Sequence, residues 1–136
     1  MKTFLTILFL TFFVTPALAQ ERKGELDGKA LVCTWVDYDK YHHYYHFQDG
    51  EVFQYFINQD IPPEVVQDIL GPYHTTVDRI KAKRFDLNRK TLRLSQGHGS
   101  TSDCQIIHPK EIAVGITNEM EEWKEELKEL MKDNKI

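Results

Sequence analysis

Residues 41–57 read YHHYYHFQDGEVFQYFI, and this stretch decides the fold. At its centre stands Asp49-Gly50, a dipeptide favoured in two-residue hairpins because both positions accept positive φ at little cost. The flanking runs, residues 41–48 and 51–57, are aromatic and β-branched, the composition of a pleated, half-buried strand. Folding them about the turn sets a register in which His46 faces Phe53, Tyr44 faces Tyr55 and His42 faces Ile57.

Upstream of the hairpin, residues 29–36 alternate. Leu31, Cys33 and Trp35 fall on one side and Ala30, Val32 and Thr34 on the other, which reads as a strand with its heavier face inward. Residues 20–27 are polar and form a flexible leader. Before them come Lys2, an apolar run over residues 4–14, Pro16 and Ala17-Leu18-Ala19. That is the layout of a secretory signal peptide over residues 1–19, and the run is short of the ~20 residues that span a bilayer. The expectation is a secreted or periplasmic product without a membrane span. In such a compartment the chain's two cysteines, Cys33 and Cys104, are read as one disulfide tying an early strand to a late one. Its loop of roughly 70 residues corresponds to ~4 kcal/mol in the chain-entropy treatment.

Downstream, residues 58–72 read as a short inserted helix. Asp60 caps it, Pro62 or Pro63 suits its first turn, Val65, Val66, Ile69 and Leu70 form its apolar side, and Gly71-Pro72 stops it. Strand character returns at Thr75, Thr76 and Val77. Ile80 and Ala82 then alternate with Arg79, Lys81 and Lys83, and Leu92 and Leu94 with Thr91 and Arg93. Between these runs residues 86–90 read as a hairpin loop. Residues 96–103 read as a Gly/Ser-rich loop, and residues 105–107 and 112–116 as short strands broken by Pro109. From Asn118 onward the pattern is helical. Asn118 and Glu121 fit a capping box, and Met120, Trp123, Leu127, Leu130 and Met131 form one apolar stripe that docks on the sheet or on a second copy.

The fold expected is therefore mainly β (α+β): an antiparallel meander curled into a half-barrel or small barrel, with a short inserted helix and a C-terminal amphipathic helix. The β domain occupies residues 28–116 and the helix residues 117–136. With 136 residues, 41% hydrophobic and a net charge of −4, the chain is one ordinary domain, too aromatic for disorder and too acidic for a general nucleic-acid binder. Removing the signal peptide takes away Lys2 and makes the charge one unit more negative.

Two surfaces stand out as binding candidates. One is the aromatic hairpin, with Tyr44, Tyr45, Phe53 and Tyr55, whose side chains combine apolar bodies with polar tips. The other is the basic segment 78–93, where seven lysines and arginines oppose two acids. Alternation turns Lys81, Lys83 and Arg93 outward, either as a solvated face that guards a sheet edge, as a match for the acidic terminal helix, or as a site for an acidic partner. His42, His43 and His46 lie on a strand, where four residues span ~13 Å, too far for two ligands of one ion. Gly97-His98-Gly99-Ser100 and Ser102-Asp103 crowd one loop without a scaffold for a triad. No nucleophile elbow, zinc helix or phosphate loop is present, so no catalytic residue, metal or cofactor is assigned.

In shape, the early strand, Asp-Gly hairpin, meander and closing helix resemble lipocalin-like barrels. The Gly-x-Trp signature near the start of that family is missing, since Gly28 and Trp35 stand too far apart. The leading expectation is a small non-enzymatic binding domain, monomer or homodimer, that contacts a protein or envelope component through the hairpin and basic strands. The alternative is a lipocalin-like carrier holding a small apolar ligand in a cavity lined by residues such as Trp35, Tyr45 and Phe56.

Overall fold

The computed structural model describes residues 24–97 and 99–135. The expected signal peptide (residues 1–19), residues 20–23 of the leader, His98 and Ile136 lie outside the described residues.

The Asp49-Gly50 turn has φ 54° and 74° at its two positions, as a turn matched to strand twist requires. It joins β2 (Tyr38–Gln48) to β3 (Glu51–Ile57) with Tyr44 opposite Tyr55 and His46 opposite Phe53. β1 (Ala30–Trp35) pairs with β2, and β4 (Val65–Pro72) pairs with β3. A second meander follows: β5 (His74–Thr75), β6 (Arg79–Ala82), β7 (Phe85–Asn88), β8 (Arg93–Ser95) and β9 (Thr101–Ile107). β9 returns to pair with β1, giving one antiparallel sheet in the order β4-β3-β2-β1-β9-β8-β7-β6-β5. Its two ends, β4 and β5, are consecutive in the chain and separated by Tyr73 alone. The sheet therefore curls into a nearly closed half-barrel, with the chain itself crossing the gap. The disulfide sits in the β1–β9 seam, where Cys33 and Cys104 are register partners.

Alternation distributes the side chains between two layers. Leu31, Cys33, Tyr45, Phe47, Val52 and Leu94 point into the barrel and are buried. There Phe47 meets Tyr73 and Phe85 edge-on at 5.1 and 5.9 Å, and Tyr45 meets Phe85 at 5.0 Å, the arrangement that ring quadrupoles favour. On the outer side, Ala30 and Tyr44 are covered by Ile112 and Ile116 of α1 (Lys110–Met131). The hairpin is thus buried on both faces.

One end of the barrel is sealed by the leader. Residues 24–27 form a turn in which the Asp27 carboxylate accepts hydrogen bonds from Gly24 N–H at 2.9 Å, Gly50 N–H at 3.0 Å and the Tyr73 hydroxyl at 2.9 Å. Tyr73 Oη in turn accepts from Leu26 N–H. Burial and this carboxylate push the Tyr73 phenol up to about 12. The described part of the leader is accordingly pinned to the domain.

Several expectations are corrected. The inserted helix is the strand β4, preceded by a loop closed by Asn58 N–H on the Glu64 carbonyl and Glu64 N–H on Asn58 Oδ1. Val65, Val66, Ile69 and Leu70 mimic a helical face. As a strand, Val66 and Leu70 turn toward the barrel while Val65 and Ile69 stay exposed, and a bulge near Leu70 shifts the register against Val52 and Phe53. The segment 86–90 is largely β7, whose Phe85 and Leu87 are core residues. The turn falls earlier, at Lys83-Arg84, because Arg84 takes φ 55° without the usual Gly or Asn. Thr76 and Asp78 make a turn between β5 and β6 instead of continuing a strand. Part of the 96–103 loop belongs to β9.

The helix begins eight residues before Asn118. The expected strand at 112–116 lies within its first half, and Pro109 sits at its start, where a missing N–H costs nothing. The reciprocal cap is built by His108 and Glu111: Lys110 N–H donates to His108 Nδ1 at 3.1 Å, and His108 N–H donates to Glu111 Oε2 at 2.6 Å. Within the expected stripe, Met120, Trp123 and Leu127 are half-buried, while Leu130 and Met131 are exposed. Docking is carried chiefly by Ile112 and Ile116.

Candidate functional site

The barrel end opposite Asp27 is open, and the sequence opens it. Beyond Thr34 paired with His42, the β1–β2 register jumps to Trp35 paired with Tyr38, which leaves residues 39–41 out of the ladder. The splayed rim and the middle of α1 enclose a cleft of about 420 Å³, a volume within the ~300–1,000 Å³ of small-molecule sites. Its walls carry Trp35, Tyr41, His43, Phe56 and Ile57 from the sheet and Trp123 from the helix. Polar groups come from His42, Asn58, Gln59 and Glu119.

His43 forms part of the floor. Its ring stacks on Phe56 at 5.2 Å with 13° between planes and tilts against Trp35 at 5.6 Å. The Gln54 amide donates to its Nδ1 at 2.6 Å and reaches the Tyr45 hydroxyl at 3.1 Å. The Gln96 amide meets the same hydroxyl. Burial, helped by the charge of His42, pulls His43 down to about 4, so the ring is neutral at pH 7.

Glu119 supplies the negative charge. Its Oε1 accepts from the Tyr44 hydroxyl at 3.0 Å and contacts His42 Nδ1. Burial raises this carboxyl above its usual range, while His42 and Tyr44 act to lower it and Glu122 adds to the rise. Tyr44 is raised too, by burial and by Glu119. The indole N–H groups of Trp35 and Trp123 are both buried with no hydrogen-bond partner among the described residues. Two unsatisfied buried donors on neighbouring residues are unusual in a folded chain.

Tyr44 is held in place by a close backbone approach. A Cβ built on Gly115 would lie 2.4 Å from the Tyr44 hydroxyl oxygen and 2.9 Å from Cζ. Gly→Ala within a helix ordinarily gains ~1 kcal/mol. Gly115→Ala is instead expected to destabilise by about 1–3 kcal/mol, because it lifts α1 from the sheet. Urea unfolding decides the sign, and a net gain would mean that the helix shifts freely.

Nothing in the family models, curated proteins or solved structures matches this chain. Its site is therefore read from its own chemistry.

The candidate residues chosen from sequence are not brought together. Tyr44 is on the outer face under α1 and Tyr45 is inside the barrel, both buried. Phe53 and Tyr55 are half-buried on the outer face, and the Tyr55 hydroxyl accepts from the Gln67 amide at 3.1 Å. Lys81 and Lys83 are exposed on β6 and the turn after it. Arg93 pairs with Asp103 at 3.2 Å, Arg79 with Asp86 at 2.6 Å, and Arg89 with Glu25 at 2.5 Å. These partners lie in the sheet and the leader turn, whereas α1 packs on β1–β3. Of the expected cavity residues, Trp35 and Phe56 line the cleft and Tyr45 does not. Glu119 was missed, although its i,i+4 spacing to Trp123 places a carboxylate and an indole on one helical face. Among the described residues, no group of three or more His, Cys, Asp or Glu is arranged to hold a metal, and no helix is long and apolar enough to cross a membrane.

Proposed function

We propose that this chain is a small exported binding protein whose ligand occupies the aromatic cleft between the open barrel rim and α1. The observation that carries this reading is the wall itself: aromatic rings from both layers around about 420 Å³. Mostly apolar pockets with a few convergent polar groups are the usual form of a small-molecule site. The signal-peptide pattern and the Cys33–Cys104 bridge support an oxidising, extracytoplasmic location. A protein-contact role for the aromatic hairpin fits less well, because Tyr44 and Tyr45 are buried on opposite faces.

The chain contains two tryptophans, and both line the cleft. Intrinsic fluorescence thus reports directly on its occupancy. Native mass spectrometry of protein isolated gently from its own source is expected to show a copurifying small molecule, lost in Trp123→Ala, with a tryptophan emission shift on its return. Apo-protein alone, together with unchanged emission across a small-molecule library, would overturn the proposal.

A further inference from the structure

We infer that the cleft recognises the substituted ammonium group of a cationic small molecule, held over the indole rings of Trp35 and Trp123 with Glu119 as its counter-charge. This rests on the reading of the cleft as a ligand site and names the chemistry of what enters it.

Three observations converge. The rings of Trp35, Tyr41, Phe56 and Trp123 surround the space, and the electron-rich face of an aromatic ring, indole above all, attracts a desolvated cation. Among the described residues that line the cleft, Glu119 is the one carboxylate, with His42 against it, and none is lysine or arginine, so the fixed charge these residues carry is negative. The rim extends this field. Glu122 lies close enough to act on Glu119 electrostatically. An anionic ligand would meet this helix unfavourably, whereas a cation is steered toward it.

The geometry also favours a substituted ammonium over a bare metal ion or a primary amine. A metal needs several oxygen or nitrogen ligands converging at ~2–2.6 Å. Among the described residues no three His, Cys, Asp or Glu side chains converge in this way. A primary ammonium carries three N–H donors that want acceptors, and the walls are chiefly carbon. A quaternary or heavily alkylated ammonium brings charge with few donors and an apolar surface, which matches rings plus one carboxylate.

The test compares choline with its uncharged isostere 3,3-dimethylbutan-1-ol, titrated into the oxidised mature protein and read by tryptophan fluorescence and calorimetry. Choline is expected to bind at least about tenfold more tightly than the isostere. That advantage shrinks as salt rises. Glu119→Gln, which keeps the shape and the Tyr44 contact, should abolish the preference. Trp123→Phe should retain most of the affinity and Trp123→Leu should lose it, with thermal melts confirming that each variant is folded. Equal binding of choline and the isostere, or a preference that survives Glu119→Gln, would overturn the ammonium assignment and leave the cleft as a site for neutral molecules. If neither probe binds but a neutral copurifying molecule is found, the ammonium assignment alone falls. If nothing occupies the cleft at all, the ligand-site reading falls with it.

Discussion

The double variant Cys33→Ala/Cys104→Ala is expected to lose about 4 kcal/mol of stability, a drop of about 15 °C in the unfolding midpoint. The cysteines are 71 positions apart, so the bridge removes much of the freedom of the unfolded chain. It also lies where the fold most needs help. All other neighbouring strands in the sheet are consecutive in the chain, and the β1–β9 pairing alone brings distant segments together. Both side chains are buried in the core, so alanine adds a small packing loss. Urea unfolding of the wild type and the variant under one buffer gives the difference. A loss below about 1 kcal/mol would mean that the seam is held by its ladder and core alone.

Acid is expected to weaken the fold through His43, by up to about 3 kcal/mol. Its ordinary value is 6.5, and burial against Phe56 and Trp35 lowers it to about 4 in the folded state. Above pH 6.5 both states hold the ring neutral, so His43 adds no pH dependence. Between about 6.5 and about 4 the unfolded chain takes up a proton that the folded chain refuses, and stability falls. Below about 4 both are protonated and the loss is complete. Glu119 acts with the opposite sign, since its raised carboxyl favours the folded state as it protonates. Subtracting the profile of His43→Gln, which keeps an acceptor for Gln54, isolates the histidine. Identical pH slopes in wild type and variant would refute this account.

The readable parts of the fold were those governed by local chemistry. Asp49-Gly50 dictates both turn and register, so the pairing of Tyr44 with Tyr55 followed from counting. The alternation at Leu31, Cys33 and Trp35 likewise gave the first strand its inward face. What failed depended on neighbours. β4 satisfies a helical pattern and a strand pattern equally, and only pairing with β3, through a bulge, selects the strand. The helix start is not legible locally, because Asn118 and Glu121 offer a cap as acceptable as His108 and Glu111, and only the burial of Ile112 and Ile116 distinguishes them. The cleft was legible in pieces. Trp35 and Phe56 could be assigned to a cavity wall, but the arrival of Glu119 and Trp123 depends on where α1 docks, which Gly115 decides through its approach to Tyr44.

The order of the sheet also bears on synthesis. As the chain emerges from its N-terminal side, β1 to β4 can zip together by short-range hairpin contacts, each closing a small loop. β1 then waits with one edge bare until the last strand is made, and a bare edge is an invitation to pair with another chain. β9 is followed after two residues by α1. The strand that covers the edge and the helix that covers the outer face thus arrive together, which confines the exposure of the growing domain to the interval before its final third is complete.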